Sequence, residues 1–182
     1  ATCLGQIRAT SNGLIGLDNG MKEGGLVVMN PVTRKLTALP LPTLYPPERE
    51  SYGLAFCRST NNYKLVHLFE DELRCVGCEI LIVGTRSWKE VDGPSFGLFR
   101  WLGFNPVSAI GALHWIPHID HSDYIMSMIL EDEKFHKLLL PRSCRTNDRI
   151  VEMSGVLSLV VYEEPNQIDT WILRSLNEDW TK

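Results

Sequence analysis

ESYGLAFCRSTNNYKLVHLFEDELRCVGCEILIVGTRSWKEVDGP, residues 50–94, sets the pattern for the whole chain. It holds four short apolar runs, at 52–57, 63–69, 78–83 and 88–91. Ser59-Thr60-Asn61-Asn62 separates the first two, and Gly84-Thr85-Arg86-Ser87 separates the last two. Asn and Gly tolerate positive φ, and Ser and Thr hydroxyls bond nearby backbone, so both tetrads are turn chemistry. Runs of this length rich in Val, Ile, Tyr and Trp read as strands. Two successive hairpins make a small antiparallel meander, and a meander this small must stack on copies of itself to bury both faces.

The copies are present. Val27-Val28-Met29-Asn30 returning at Leu36, Ile80-Leu81-Ile82-Val83 at Trp88, Met126-Ser127-Met128-Ile129 at Phe135 and Thr170-Trp171-Ile172-Leu173 at Trp180 share one plan. Each is an apolar strand, a polar turn and a return strand opened by a large apolar anchor. An earlier hairpin recurs in phase, with glycine at its turn, in Ser11-Asn12-Gly13, Ala109-Ile110-Gly111 and Met153-Ser154-Gly155. A period of roughly 45–50 residues with about four strands per repeat predicts the blades of a β-propeller. A meandering sandwich or barrel has similar strand spacing and stays open as an alternative.

The expected fold is therefore all-β, a kelch-like propeller in one domain over 1–182, with units at about 7–42, 50–94, 107–141 and 149–182. The fourth unit stops at the opening of its last strand, so an incomplete ring and a longer parent chain are expected. Proline at 46 and 47 marks a rigid connection between the first two units. Residues 142–148 read as a polar connector.

The bulk numbers narrow the function. Net charge is −4, with Lys and Arg scattered, which argues against a nucleic-acid partner. No apolar run reaches the ~18 residues of a membrane span, so no membrane partner is expected. Five cysteines without framework spacing, and no secretory leader at the start, fit a reducing compartment, cytoplasmic or nuclear.

Three motifs invite chemistry. Gly93-Pro94-Ser95-Phe96-Gly97 matches the G-x-S-x-G elbow, but that motif needs a strand turning into a helix, and a glycine- and proline-broken loop follows it. Cys75-Val76-Gly77-Cys78 has metal spacing with His114, His118 and His121 further on, yet structural zinc wants a second pair. Cys78 reads as packed into a strand face and Cys75 as a loop thiol. The acidic groups 70–72, 131–133 and 178–179 read as solvated turns. No catalytic, cofactor-binding or metal residue is assigned, and no cofactor is expected. The stronger candidates are Tyr45, Arg100, Trp101, His118 and His121, which lie between strands and are of the types that anchor protein interfaces.

Ser11-Asn12-Gly13-Leu14-Ile15, Asn30-Pro31-Val32-Thr33-Arg34 before Leu39-Pro40, and Tyr52-Gly53-Leu54-Ala55-Phe56 before Asn61-Asn62-Tyr63-Lys64-Leu65-Val66 carry a family resemblance. So do Gly111-Ala112-Leu113-His114-Trp115 and Trp171-Ile172-Leu173 with Trp180-Thr181-Lys182. In that order they resemble the F-box-associated domain of plants. The resemblance implies a kelch-type propeller that holds a target protein for a cullin ubiquitin ligase. It implies contact with a Skp-type adaptor and the cullin only through an F-box, which these residues do not contain. It implies no enzyme activity of its own. Two other classes remain, a carbohydrate-binding or glycan-processing propeller and a small hydrolase using Ser95 or His121.

Overall fold

The computed structural model describes residues 5–19, 25–46, 49–73, 75–95, 102, 105–116, 122–145, 147–163 and 167–182. Four antiparallel sheets are arranged as the blades of a β-propeller. The first holds β1 (Ile7–Ser11), β2 (Leu14–Asn19), β3 (Gly25–Asn30) and β4 (Lys35–Ala38). The second holds β5 (Glu50–Cys57), β6 (Asn62–Glu70), β7 (Val76–Ile82) and β8 (Lys89–Val91). The third holds β9 (Val107–Ala109), β10 (Ala112–Trp115), β11 (Ser122–Ile129) and β12 (Lys134–Cys144). The fourth has three strands, β13 (Arg149–Met153), β14 (Val156–Glu163) and β15 (Gln167–Leu173), and beyond them Thr181 forms a single bridge to Ile172.

Turn chemistry fixes the inner hairpins. Asn12-Gly13, Ile110-Gly111 and Ser154-Gly155 each put two successive residues at positive φ between strands in register. That is the two-residue turn whose twist matches paired strands. The second sheet uses four residues, 58–61, with Asn61 at φ 53°. Ile110 is a β-branched residue at φ 44°, a conformation costly for its side chain.

Packing then follows from alternation along the strands. On the second sheet Leu54, Leu65 and Leu81 lie opposite one another and face the first sheet, where they meet Ala9, Leu26 and Val28. The other face of the same strands carries Ala55, Val66, Cys78 and Ile80, which meet Leu113, Met126 and Met128 of the third sheet. A third core joins Ala109 and Ile125 to Ile150, Leu157, Leu159 and Leu173 of the fourth. No core cluster of described residues joins the fourth sheet to the first. The outer face of the first sheet accordingly leaves Ile7 and Leu36 exposed, and that of the fourth leaves Ile168 and Tyr162 exposed.

The recurring anchor is a seam residue. Trp88 packs on the first–second core and its Nε1 donates to the carbonyl of Pro40, 3.1 Å away. Phe135 packs on the second–third core. Trp180 packs on the third–fourth core and donates to the Leu139 carbonyl at 2.8 Å. Each anchor closes its own sheet onto the preceding one. Leu36, the first in the series, meets no preceding sheet among the described residues and is 56% exposed.

Two expectations change in detail. β12 continues through Pro141 to Cys144, so 142–144 belong to a strand and not to a connector. Ser122 pairs with Cys144 after a register shift, and proline is tolerated because β12 is an outer strand with one free edge. Buried Asp148 then ties the turn to the fourth sheet, accepting from Arg142 Nη2 at 3.1 Å and from the amides of Arg145 and Tyr162. The expected last strand at Trp180 is reduced to the Thr181 bridge.

Two glycines separate crowding from backbone strain. A Cβ at Gly93 would lie 1.9 Å from the Val76 carbonyl oxygen, whereas one at Gly13 would meet nothing within 4 Å but sits at φ 78°. Gly93→Ala should destabilise the domain by at least the ~1–3 kcal/mol of an overpacked site, and Gly13→Ala by about 1 kcal/mol. Urea unfolding of both variants reads the difference, and equal effects would contradict the close approach at Gly93.

Candidate partner-binding surface

The meander gives the ring two unlike ends. Turns between the first and second strands of every sheet, between the third and fourth strands of the first three, and between β15 and the Thr181 bridge lie at one end, the hairpin end. Links between second and third strands, and between sheets, leave from the other, the connection end. The hairpin end opens into an axial cavity of about 650 Å³, to which all four sheets contribute. Its wall includes Asn12, Phe56, Arg58, Ile110 and Gly155. A cleft of about 310 Å³ adjoins it, sharing Phe56, Arg58 and Ile110 and adding Arg174. The conformationally costly Ile110 thus stands at the meeting of the two. These volumes straddle the lower part of the ~300–1,000 Å³ range of ligand pockets.

At the connection end, Tyr45 stacks on Phe69, with ring centroids 4.8 Å apart and planes 9° from parallel. It borders a pocket of about 170 Å³ between the first two sheets, beside Arg8, Asp18, Glu50 and Tyr52. Tyr45 is half-buried, placed by the rigid link between β4 and β5. Arg100, Trp101, His118 and His121 lie outside the described residues.

Beneath that pocket is an ionic cluster that sequence reasoning missed. His67 is fully buried, with Nδ1 2.8 Å from Glu79 Oε1 and Nε2 3.2 Å from Glu50 Oε2. A neutral imidazole has one N–H and cannot donate to both. Burial alone would lower its pKa, but the bonds to Glu50 and Glu79 outweigh that and raise it. The ring is therefore an imidazolium, stacked on Tyr52 at 4.3 Å. Glu50 also accepts from the Tyr52 hydroxyl and lies 3.7 Å from Arg8 of the first sheet, while Glu79 accepts from the Thr43 amide. Burial would raise the Glu79 carboxyl, and bonds from His67 and Thr43 lower it instead. The cluster pins the first sheet and the 39–49 link to the second.

A second pin crosses the next seam. Lys64, on the opposite face of β6, is buried with Nζ 2.6 Å from the Leu130 carbonyl and 2.8 Å from Glu133 Oε1. Burial would raise the Glu133 carboxyl, but Lys64 and Lys89 together hold it below its usual range. His114 behaves in the opposite way from His67. Fully buried, it donates from Nε2 to the Ala109 carbonyl and accepts at Nδ1 from Ser127, and burial pushes its pKa down to about 4. It is a neutral, satisfied core residue. The only sequence trace of these groups is a polar residue within an apolar strand, which does not name its partner.

The remaining motifs carry no chemistry that the described residues complete. Cys78 is buried, its thiol pushed up chiefly by burial, and Cys75 is exposed. No group of three metal-ligating side chains occurs among the described residues. Ser95 lies in a groove beside Lys89, Asp92 and Glu133, which contains no histidine among the described residues. No helix of the described residues is long and apolar enough to cross a membrane.

The model of the F-box associated beta propeller domain matches residues 2–182. The chain belongs to that family. Among its relatives are two F-box proteins of Arabidopsis thaliana. At4g22390 is 25% identical over 208 residues, covering 97% of this chain and 51% of the relative. At3g07870 is 26% identical over 206 residues, covering 94% and 48%. The F-box associated domain described here thus spans about half the length of these curated relatives. Among solved structures, TolB from Acinetobacter baumannii superposes with a TM-score of 0.54 at 10% identity, over 97% of this chain and 42% of TolB. That likeness speaks to the fold alone.

The two buried histidines give opposite pH dependences. His67, with its pKa raised, contributes stability that is present below the unfolded value near 6.5 and is lost as pH rises through its folded value. His114, with its pKa lowered to about 4, contributes stability that is lost as pH falls from about 6.5 toward that value. Unfolding free energy measured from pH 4 to pH 9 should therefore lose its alkaline decline in His67→Gln and part of its acid decline in His114→Gln. An unchanged alkaline limb in His67→Gln would contradict the imidazolium assignment.

Proposed function

We propose that this domain is the target-recognition part of an F-box subunit of a cullin-type ubiquitin ligase. The observation that carries the reading is the family match over residues 2–182, joined to two F-box proteins as relatives. The geometry is consistent with it. Packed seams and buried ionic pins make a rigid support, and the ring ends offer a cavity, a cleft and a pocket on which another protein can rest. In this reading the domain performs no bond chemistry. It holds a target by shape and contact, raising its concentration beside the transfer machinery to which an F-box and a Skp-type adaptor connect it. The site of action is the cytoplasm or the nucleus.

The test uses competition. Residues 1–182 expressed in excess in plant cells should capture the target without delivering it to the ligase. At least one protein that co-purifies with the domain should lose ubiquitin conjugates and gain half-life severalfold, with no further gain under proteasome inhibition. Co-purifying proteins whose conjugates and half-lives are all unchanged would overturn the reading.

A further inference from the structure

The hairpin end is electrically divided in a way that net charge conceals. In the first two sheets its turns are 12–13, 31–34, 58–61 and 83–88, which contain Arg34, Arg58 and Arg86 and no acidic residue. In the third and fourth sheets the turns contain Glu131, Asp132, Glu133, Glu178 and Asp179, with Arg174 the one basic residue. Arg34, Arg58, Arg86 and Arg174 are all exposed. None has a hydrogen-bond or ion-pair partner among the described residues. By contrast, Arg8 and Arg142 elsewhere in the chain are paired with Asp18 and Asp148. On the acidic half, Glu133 is neutralised by Lys64 and Lys89, and Asp132 lies 3.6 Å from His136. Glu131, Glu178 and Asp179 have no side-chain partner among the described residues either, so the face carries an uncompensated basic half over the first two sheets and an acidic half over the other two.

Arg58 occupies the centre of this arrangement. It lines both the axial cavity and the adjoining cleft, beside Phe56 and Ile110; Arg174 and Glu131 also line the cleft, and Glu152, whose carboxylate accepts from the Gly155 amide, lines the cavity. A guanidinium beside the apolar side chains of Phe56 and Ile110 matches a carboxylate carried next to an apolar side chain, because Arg binds carboxylates through paired N–H donors. An unpaired surface Arg beside Phe56 is also of the composition of interface hot spots.

Resting on the reading of this domain as a target-recognition module, we propose that its hairpin end binds an acidic polypeptide segment. An apolar side chain of that segment enters the axial cavity, and its carboxylates bind Arg58 and the flanking arginines. A nucleic-acid strand fits less well, because its phosphates recur along its whole length and would extend over the acidic half, whereas a peptide can confine its carboxylates to the part lying over the first two sheets.

The probe is a random-peptide display library selected on the 182-residue chain. Enriched peptides should carry Asp or Glu near an apolar residue. The strongest of them, made synthetically, should bind Arg58→Glu at least tenfold more weakly, bind Arg58→Lys within a few-fold, and weaken as salt rises. Arg58 is exposed, so Arg58→Glu should melt within a few degrees of the parent, which keeps a binding loss interpretable. Enrichment without acidic bias, no enrichment, or equal binding by Arg58→Glu would overturn the proposal. So would preferential binding of a single-stranded RNA oligonucleotide that depends on Arg58. If binding is instead lost in Tyr45→Ala, the surface lies at the connection end, and the target-recognition reading survives while this site falls.

Discussion

Every sheet here is too small to stand alone, and the constraint that organises the molecule is that each must bury two faces. A strand of five to eight residues shows alternate side chains to opposite sides, so a central blade needs apolar residues at nearly every position. The second sheet meets that demand, with Leu54 and Leu65 serving one seam and Ala55 and Val66 the next. The first and fourth sheets are each buried on one side by a core cluster and retain exposed apolar residues on the other. The anchors Trp88, Phe135 and Trp180 express the same constraint at the perimeter, each reaching the core shared with the sheet before it.

Apolar seams fix distance but not register, and the buried polar groups supply that. Stacking buries His67 between Glu50 and Glu79 of its own sheet, and Lys64 against Glu133 and the Leu130 carbonyl of the next, so removing one partner would strand a charge away from water. The two sit at consecutive seams, on opposite faces of β6, and so orient the second sheet toward both neighbours. Rigidity at the seams matters for recognition, since a preorganised surface loses little conformational entropy on binding.

The two ends of the ring are unequally legible from spacing alone. Of the aromatic and basic residues expected between strands, Tyr45 is described, and it is held against Phe69 at the connection end. The hairpin end draws no attention in a linear reading, because its turns are short and its arginines are far apart in the chain. Folding brings Arg58 and Arg174 to one cleft.

What the sequence determined by itself is the repeat: strand length, turn glycines and a returning anchor are local, and their period specifies stacked four-stranded meanders. The roles of single residues were legible where the environment is local too, as for the buried Cys78, the exposed Cys75 and the turn at Asn61. The tertiary structure alone decided which seams are filled, where β12 ends, and why His67 is charged while His114 is neutral. The first depends on which sheet lies across a strand's face, and the other two on the pairing register that sets residues side by side within a sheet. Two histidines in similar apolar runs differ only because Glu50 and Glu79 surround one and Ser127 and a carbonyl surround the other.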